Sequence, residues 1–285
     1  MNNNVSVVFI GGLTNGCIVY DYLKRNKHVD LSWVITYKDD FTGARFKRIP
    51  DGTEVFRSGT TKDCETMIRR CNPDLIIVAG WSEIIPDCIL NIPKMGCFGF
   101  HPSKLPYNRG RSVLAWQIEE GYTETALTMF RYTDYPDGGD IVAQERIVIN
   151  KEDYIDDVLD KVDKATLNIM RAYFPLIRKN LIHFQKQDLC IGNFRRLRGE
   201  SDSAIDWNQN TIDIYNKIRA ISHPYPGATM IYNKKKVIVW RSELCDAFPY
   251  GDDKAAGTLI AKLFDDSLII KTRTGFLRIT EYQFL

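Results

Sequence analysis

No two of the seven cysteines (Cys17, Cys64, Cys71, Cys88, Cys97, Cys190 and Cys245) stand at C-x-x-C spacing. Their number is odd and their spacing irregular. That excludes a disulfide framework and a zinc site of paired cysteines, and is what buried free thiols in a reducing cytoplasm look like. No metal is expected. No apolar run approaches the ~18 residues that a bilayer span requires. The chain opens Met-Asn-Asn-Asn-Val and passes straight into an apolar run, without a basic stretch or cleavable segment ahead of it. The expectation is a cytoplasmic protein with no leader and no membrane partner. Charge of one sign is lacking too, because 38 Lys and Arg against 36 Asp and Glu leave a formal net charge of +2. Such a balance gives no field for a polyanion, and no nucleic-acid partner is expected. Histidine is scarce, four in 285 residues, so the setting of each one matters.

What is present reads as alternating strand and helix. Val5 to Ile10, Leu31 to Thr36 and Leu75 to Ala79 are apolar runs, with helical patterns after the first and over Thr61 to Arg70. Runs apolar on both faces require a sheet covered on both sides. The fold class is therefore α/β: a Rossmann-like, doubly wound, mostly parallel sheet. Gly11-Gly12-Leu13-Thr14-Asn15-Gly16 follows the first strand. Leu13 breaks the G-x-G-x-x-G frame, which disfavours a nicotinamide dehydrogenase. The corner is either a plain tight turn or a phosphate site at a helix N-terminus, to which Thr14 and Asn15 would contribute.

His101 ends another apolar run, in Gly96-Cys-Phe-Gly-Phe-His-Pro-Ser-Lys-Leu-Pro-Tyr-Asn-Arg-Gly110. A strand over Thr125 to Tyr132 and one from Ile141 flank Thr133-Asp-Tyr-Pro-Asp-Gly-Gly-Asp140. Alone, such an acidic turn is a solvated loop. Loops at the carboxyl ends of neighbouring strands meet in one crevice, however, and a histidine and an aspartate meeting there make an acid–base pair. A long amphipathic helix is expected from about Asp153 to Lys179, a charged connector over 191–203, and a helix over Thr211 to Ile221. Strands then follow one another at Ala228–Tyr232, Val237–Trp240, Gly257–Leu263, Ser267–Thr272 and Phe276–Ile279. The expected organisation is a Rossmann-like catalytic domain over 1–190 and a small β-rich C-terminal domain over 204–285.

Phe100-His-Pro-Ser-Lys-Leu-Pro106, Arg109-Gly110 and Trp116 resemble the signature of the folate-dependent formyltransferases. Asp134-Tyr-Pro-Asp-Gly-Gly-Asp140 is similar to that family's D-x-x-D-x-G-D loop. Ile77 to Pro86 resembles the strand and loop that hold the pterin. Ile205-Asp206-Trp207, Ile218-Arg219-Ala220 and Pro224-Tyr225-Pro226-Gly227-Ala228 resemble the C-terminal half of members that formylate sugar nucleotides or transfer RNA. The similarity spans nearly the whole chain.

The resemblance implies transfer of a formyl group from N10-formyltetrahydrofolate, as co-substrate, to a primary amine. By it His101 donates a hydrogen bond to the formyl oxygen and Asp137 accepts the amine proton. It assigns Trp81, Ile84, Ile85, Asp134, Gly138 and Asp140 to the folate. Many members read Asn-x-His, with the asparagine amide as a second donor to that oxygen. Here the position holds Gly99, and Asn108 or a backbone N–H is the expected substitute.

The amine is the remaining question. Glycinamide ribonucleotide transformylases resemble the first half only and leave the C-terminal strands unexplained. Methionyl-tRNA formyltransferases must hold a polyanion, and Arg195-Arg196-Leu197-Arg198 is a basic cluster diluted by Glu200, Asp202 and Asp206. Gly80-Trp81, Gly110-Arg111-Ser112 and Pro224-Tyr-Pro-Gly227 look most like sugar N-formyltransferases, which act on dTDP-, UDP- or GDP-linked 3- or 4-amino-deoxysugars for O-antigen and lipopolysaccharide. Asn108, Arg109, Arg111 and Tyr225 are then expected at the nucleotide sugar, the arginines on its pyrophosphate and the tyrosine stacked on sugar or base. The resemblance also implies a homodimer. A non-catalytic folate or nucleotide-sugar binding protein is the alternative of another class.

Overall fold

The structure, a computed structural model, describes residues 4–245 and 247–285. It contains β1 (Val5–Gly11), α1 (Thr14–Arg25), β2 (Val29–Thr36), β3 (Val55–Arg57), α2 (Glu65–Cys71), β4 (Leu75–Ala79), α3 (Asp87–Leu90) and β5 (Gly96–His101). Then come β6 (Arg109–Gly110), α4 (Val113–Glu119), β7 (Glu124–Arg131), β8 (Ile141–Val148), α5 (Ile155–Arg178) and β9 (Phe194–Arg195). The chain ends with α6 (Thr211–Ile221), β10 (Ala228–Tyr232), β11 (Lys235–Cys245), β12 (Leu259–Lys262), β13 (Leu268–Lys271) and β14 (Phe276–Phe284). Among the described residues, no helix is long and apolar enough to cross a membrane.

Two compact units result, and neither is contiguous in sequence. The first takes in residues 1–110, 125–147 and 160–194; the second, residues 111–124, 148–159 and 195–285. α4 and the first turn of α5 therefore belong with the C-terminal strands.

The first unit is built on a seven-stranded sheet ordered β3-β2-β1-β4-β5-β7-β8. The strands from β3 to β5 pair in parallel, and β7 turns antiparallel against β5. All five residues of β4 are buried, as an apolar central strand of a covered sheet must be. One face carries Val8, Ile10, Ile35, Ile76, Val78 and Cys97 against Ile68 and Ile89 of the covering helices. The edge strand β3 is only three residues long and carries no readable pattern. The helix expected over Thr61 to Arg70 is a 3-10 turn, Lys62–Cys64, running into α2. It stops at Asn72, whose φ of 43° makes the left-handed C-cap.

The second unit holds an antiparallel sheet ordered β10-β11-β14-β13-β12. α6 buries Ile214, Ile218 and Ile221, spaced four and three apart, and packs on α4, β10 and β11. β11 and β14 run well past their expected ends, because one face of an antiparallel strand is solvated and its Lys, Arg and Glu hide the apolar alternation.

Candidate active site

β5 ends on His101, a buried residue at 5% exposure. Its Nε2 lies 2.7 Å from the carbonyl oxygen of Asn108. That oxygen can only accept, so Nε2 carries a proton and donates it. Nδ1 faces Oδ1 of Asp137 at 3.6 Å. The other carboxylate oxygen, Oδ2, accepts the Gly110 amide at 2.8 Å.

The turn that carries the Asn108 carbonyl is tied down group by group. Ser103 N–H donates to His101 O at 2.9 Å, and the Ser103 hydroxyl to Tyr107 O at 2.7 Å. The Thr128 hydroxyl donates to Ser103 O at 2.6 Å, and the Gln144 amide to Leu105 O at 2.9 Å. Leu105 packs on Phe130 and Ile141. Asn108 adopts a left-handed φ of 54°, and its N–H donates to Asn193 Oδ1 at 2.8 Å. Its own Oδ1 accepts from Asn193 Nδ2 at 3.3 Å, so this side chain is engaged within the fold.

The acid loop arrives by a route that parallel strands do not suggest. β7 is antiparallel to β5, with Thr128 opposite His101 and Arg131 opposite Phe98. The chain thus leaves the sheet beside Cys97, where Tyr132 N–H donates to Cys97 O at 2.8 Å, and turns back to bring Asp137 to His101. The convergence of His101 and Asp137 depends on this return and not on two carboxyl ends side by side. Gln187 holds the loop: its buried Nε2 donates to the carbonyls of Asp137 and Gly139 at 2.9 and 2.6 Å. No motif marks Gln187, which sits in an unpatterned segment after α5.

The other expected site residues separate. Arg109 is 2% exposed. Its guanidinium donates to Pro106 O, Ile191 O and the Tyr135 hydroxyl, and lies 5.7 and 5.0 Å from the Tyr135 and Phe194 rings. A pyrophosphate does not reach it; the sequence could not distinguish this arginine from exposed Arg111. Asp134 is exposed, while the Asp140 carbonyl accepts Arg131 N–H and closes the β7–β8 hairpin. Gly138 N–H donates to Tyr135 O at 3.0 Å within the loop. After β4, Ile84 is 74% exposed whereas Ile85 is buried in the core, so only Ile84 offers apolar surface. Trp81 stacks on Tyr37 with ring centres 4.3 Å apart. Tyr225 lies in the second unit, in the turn between α6 and β10, its N–H donating to Ser222 O at 2.8 Å.

The glycine corner is a packing device. A Cβ at Gly11 would sit 1.9 Å from Ala79 O, and one at Gly16 2.5 Å from the same oxygen. Three donors at this helix N-terminus are engaged: Thr14 N–H and its hydroxyl on Arg45 O, and Gly16 N–H on Asn15 Oδ1. Close approach to Ala79 O accounts for glycine at 11 and 16 as a tight turn, with the Thr14 hydroxyl engaged by Arg45 O.

The Arg195–Arg198 cluster is also spent internally. Arg195 pairs with Glu120, Arg196 with Asp202 and Arg198 with Glu119. The last two guanidinium groups lie 4.9 and 4.1 Å from the Trp116 ring.

Comparison with known proteins agrees with the arrangement. The model for the formyl transferase family matches residues 4–173, and that for its C-terminal domain matches residues 199–285. The chain is 31% identical over 260 residues to the bifunctional polymyxin resistance protein ArnA of Wigglesworthia glossinidia brevipalpis, covering 88% of this chain but 39% of that protein. It is 28% identical over 245 residues to the methionyl-tRNA formyltransferase of Alkaliphilus oremlandii, covering 85% and 77% of the two. HypX from Aquifex aeolicus, in complex with tetrahydrofolic acid, superposes with a TM-score of 0.69 at 17% identity, covering 98% of this chain and 44% of that one. WlaRD, a sugar 3N-formyl transferase solved with dTDP and 5-N-formyl-THF, superposes with a TM-score of 0.68 at 19% identity, covering 99% and 98%.

Proposed function

The chain belongs to the formyl transferase family, and on that premise we propose that it formylates the amino group of a nucleotide-activated 3- or 4-amino-deoxysugar. N10-formyltetrahydrofolate is the donor and supplies the formyl carbon. The observation that carries the reading is the His101–Asp137 pair, with every other polar contact of the two side chains fixed by backbone.

The amine nitrogen attacks the formyl carbon, the carbon–N10 bond breaks, and the amine yields a proton while N10 gains one. Asp137 Oδ1 accepts the amine proton, and Nδ1 of His101, 3.6 Å away, shares it. Gly110 N–H and Gln187 keep that oxygen aimed, so little orientational freedom is left to lose when the substrates bind. Ile84, bare at the end of β4, is an apolar surface suited to a pterin. Exposed Arg111 is the arginine left for a pyrophosphate.

A sugar acceptor is favoured over tRNA on two grounds. The arginines most able to bind a polyanion are consumed by Glu119, Glu120 and Asp202. WlaRD, a sugar 3N-formyl transferase, moreover, corresponds to this chain over 99% of its length. Such a product suits cytoplasmic steps of O-antigen or lipopolysaccharide synthesis, and a homodimer belongs to the same reading. Release of tetrahydrofolate, followed spectroscopically as each dTDP-, UDP- or GDP-linked amino sugar is added, tests it. Amine-dependent release is expected, and release that responds only to charged initiator tRNA refutes it.

A further inference from the structure

The formyl oxygen takes up negative charge as the amine attacks, and it needs a donor. His101 is poorly placed for this, since Nε2–H is turned into the Asn108 carbonyl and Nδ1 onto Asp137. Asn108 is engaged with Asn193. Gly99 stands two residues before His101 on β5, so its missing side chain would share the face of the sheet on which His101 lies.

That missing side chain has been replaced by another. A Cβ built on Gly99 would lie 2.5 Å from Cε1, Cζ and the hydroxyl oxygen of Tyr132. Tyr132 follows β7 beside Cys97, which puts its ring on the Cys97–Gly99–His101 face and lets it lean across the glycine. Phe130 buttresses it, with ring centres 4.8 Å apart. Tyr132 is half-buried, and among the described residues its hydroxyl has no hydrogen-bond partner. Burial keeps the phenol above its ordinary titration range, with Cys97 and Asp137 adding to the effect, so it stays a donor.

We propose that the Tyr132 hydroxyl, lying over Gly99, is the hydrogen-bond donor to the formyl oxygen. The role rests on the formyl-transfer reading. In the step, the amine lone pair forms the new C–N bond and the carbonyl π pair moves onto oxygen, where the Tyr132 O–H stabilises it. The pair then returns to the carbon as the carbon–N10 bond breaks, and Tyr132 keeps its proton throughout. Gly99 is required because any larger residue would displace the ring.

Y132F keeps the ring and deletes the donor. The expectation is a fall in kcat of about 10²-fold, typical of one lost oxyanion donor, with KM for both substrates within about twofold and an unchanged melting temperature. Wild-type kcat in Y132F overturns the proposal. A loss confined to stability or to KM overturns it as well, since a packing role gives that result. No formyl transfer by the wild type to sugar, tRNA or water removes the reaction itself and this role with it, an outcome distinct from an active wild type beside an equally active Y132F.

Discussion

Oδ1 of Asp137 stands 3.6 Å from Nδ1 of His101, while Oδ2 of the same carboxylate is fixed at 2.8 Å by the Gly110 amide. Asp137 has a left-handed φ of 54°, which Asn tolerates better than most residues. Asp137→Asn therefore preserves the loop and removes only the base. It should lower kcat by about 10²–10⁴-fold without shifting the melting temperature, as steady-state kinetics and calorimetry will show. His101→Ala should lose comparable activity.

Gln187 acts on the same carboxylate through backbone, holding the Asp137 and Gly139 carbonyls. Gln187→Leu removes two donors to buried acceptors, a loss of about 1–3 kcal/mol. Because the loop also loosens, kcat should fall by more than substrate binding does. Unchanged kcat with lowered stability would leave Gln187 a purely structural clamp.

Arg109 and Arg111 should separate cleanly. Truncating buried Arg109 to Ala strips Pro106 O and Ile191 O of their donor and leaves a cavity between Tyr135 and Phe194. A loss of about 2–4 kcal/mol is expected, read as a lower denaturant midpoint. Arg111→Ala should leave the midpoint alone and raise KM for the nucleotide sugar.

These two arginines show where sequence stops being informative. Continuous apolar runs identified β1, β2 and β4, and punctuation with a single histidine identified the end of β5, because burial on both faces and a forced turn leave compositional traces. Whether a particular arginine in R-G-R faces solvent depends on what the chain brings back against it. Here that is Ile191 and Phe194, some eighty positions later. Gln187, the lean of Tyr132 over Gly99 and the joining of α4 to the C-terminal strands are products of long-range return of the same kind. The glycine corner was ambiguous for another reason: close approach to Ala79 O and phosphate binding ask for the same residue.

Tyr132 also predicts a pH dependence of stability. Its phenol titrates higher in the folded state than the ~10 of an unfolded chain, chiefly through burial. Above about pH 10 the unfolded state gives up this proton while the folded state keeps it, so the fold binds more protons and loses stability as pH rises. Below that range the contribution is fully present. Denaturation between pH 8 and 11 should show a steeper alkaline decline for the wild type than for Y132F. Equal slopes would place the phenol in an unperturbed setting.

On the proposed function, His101 and Asp137 drive formyl transfer to an amino sugar. Its most direct test is mass spectrometry of nucleotide-linked 3- and 4-amino-deoxysugars after incubation with the protein and N10-formyltetrahydrofolate, with Asp137→Asn in parallel. One sugar should gain a single formyl group with the wild-type protein, and the gain should be lost in the variant. Formylation of charged initiator tRNA with every sugar untouched, or equal formylation by the variant, would contradict it.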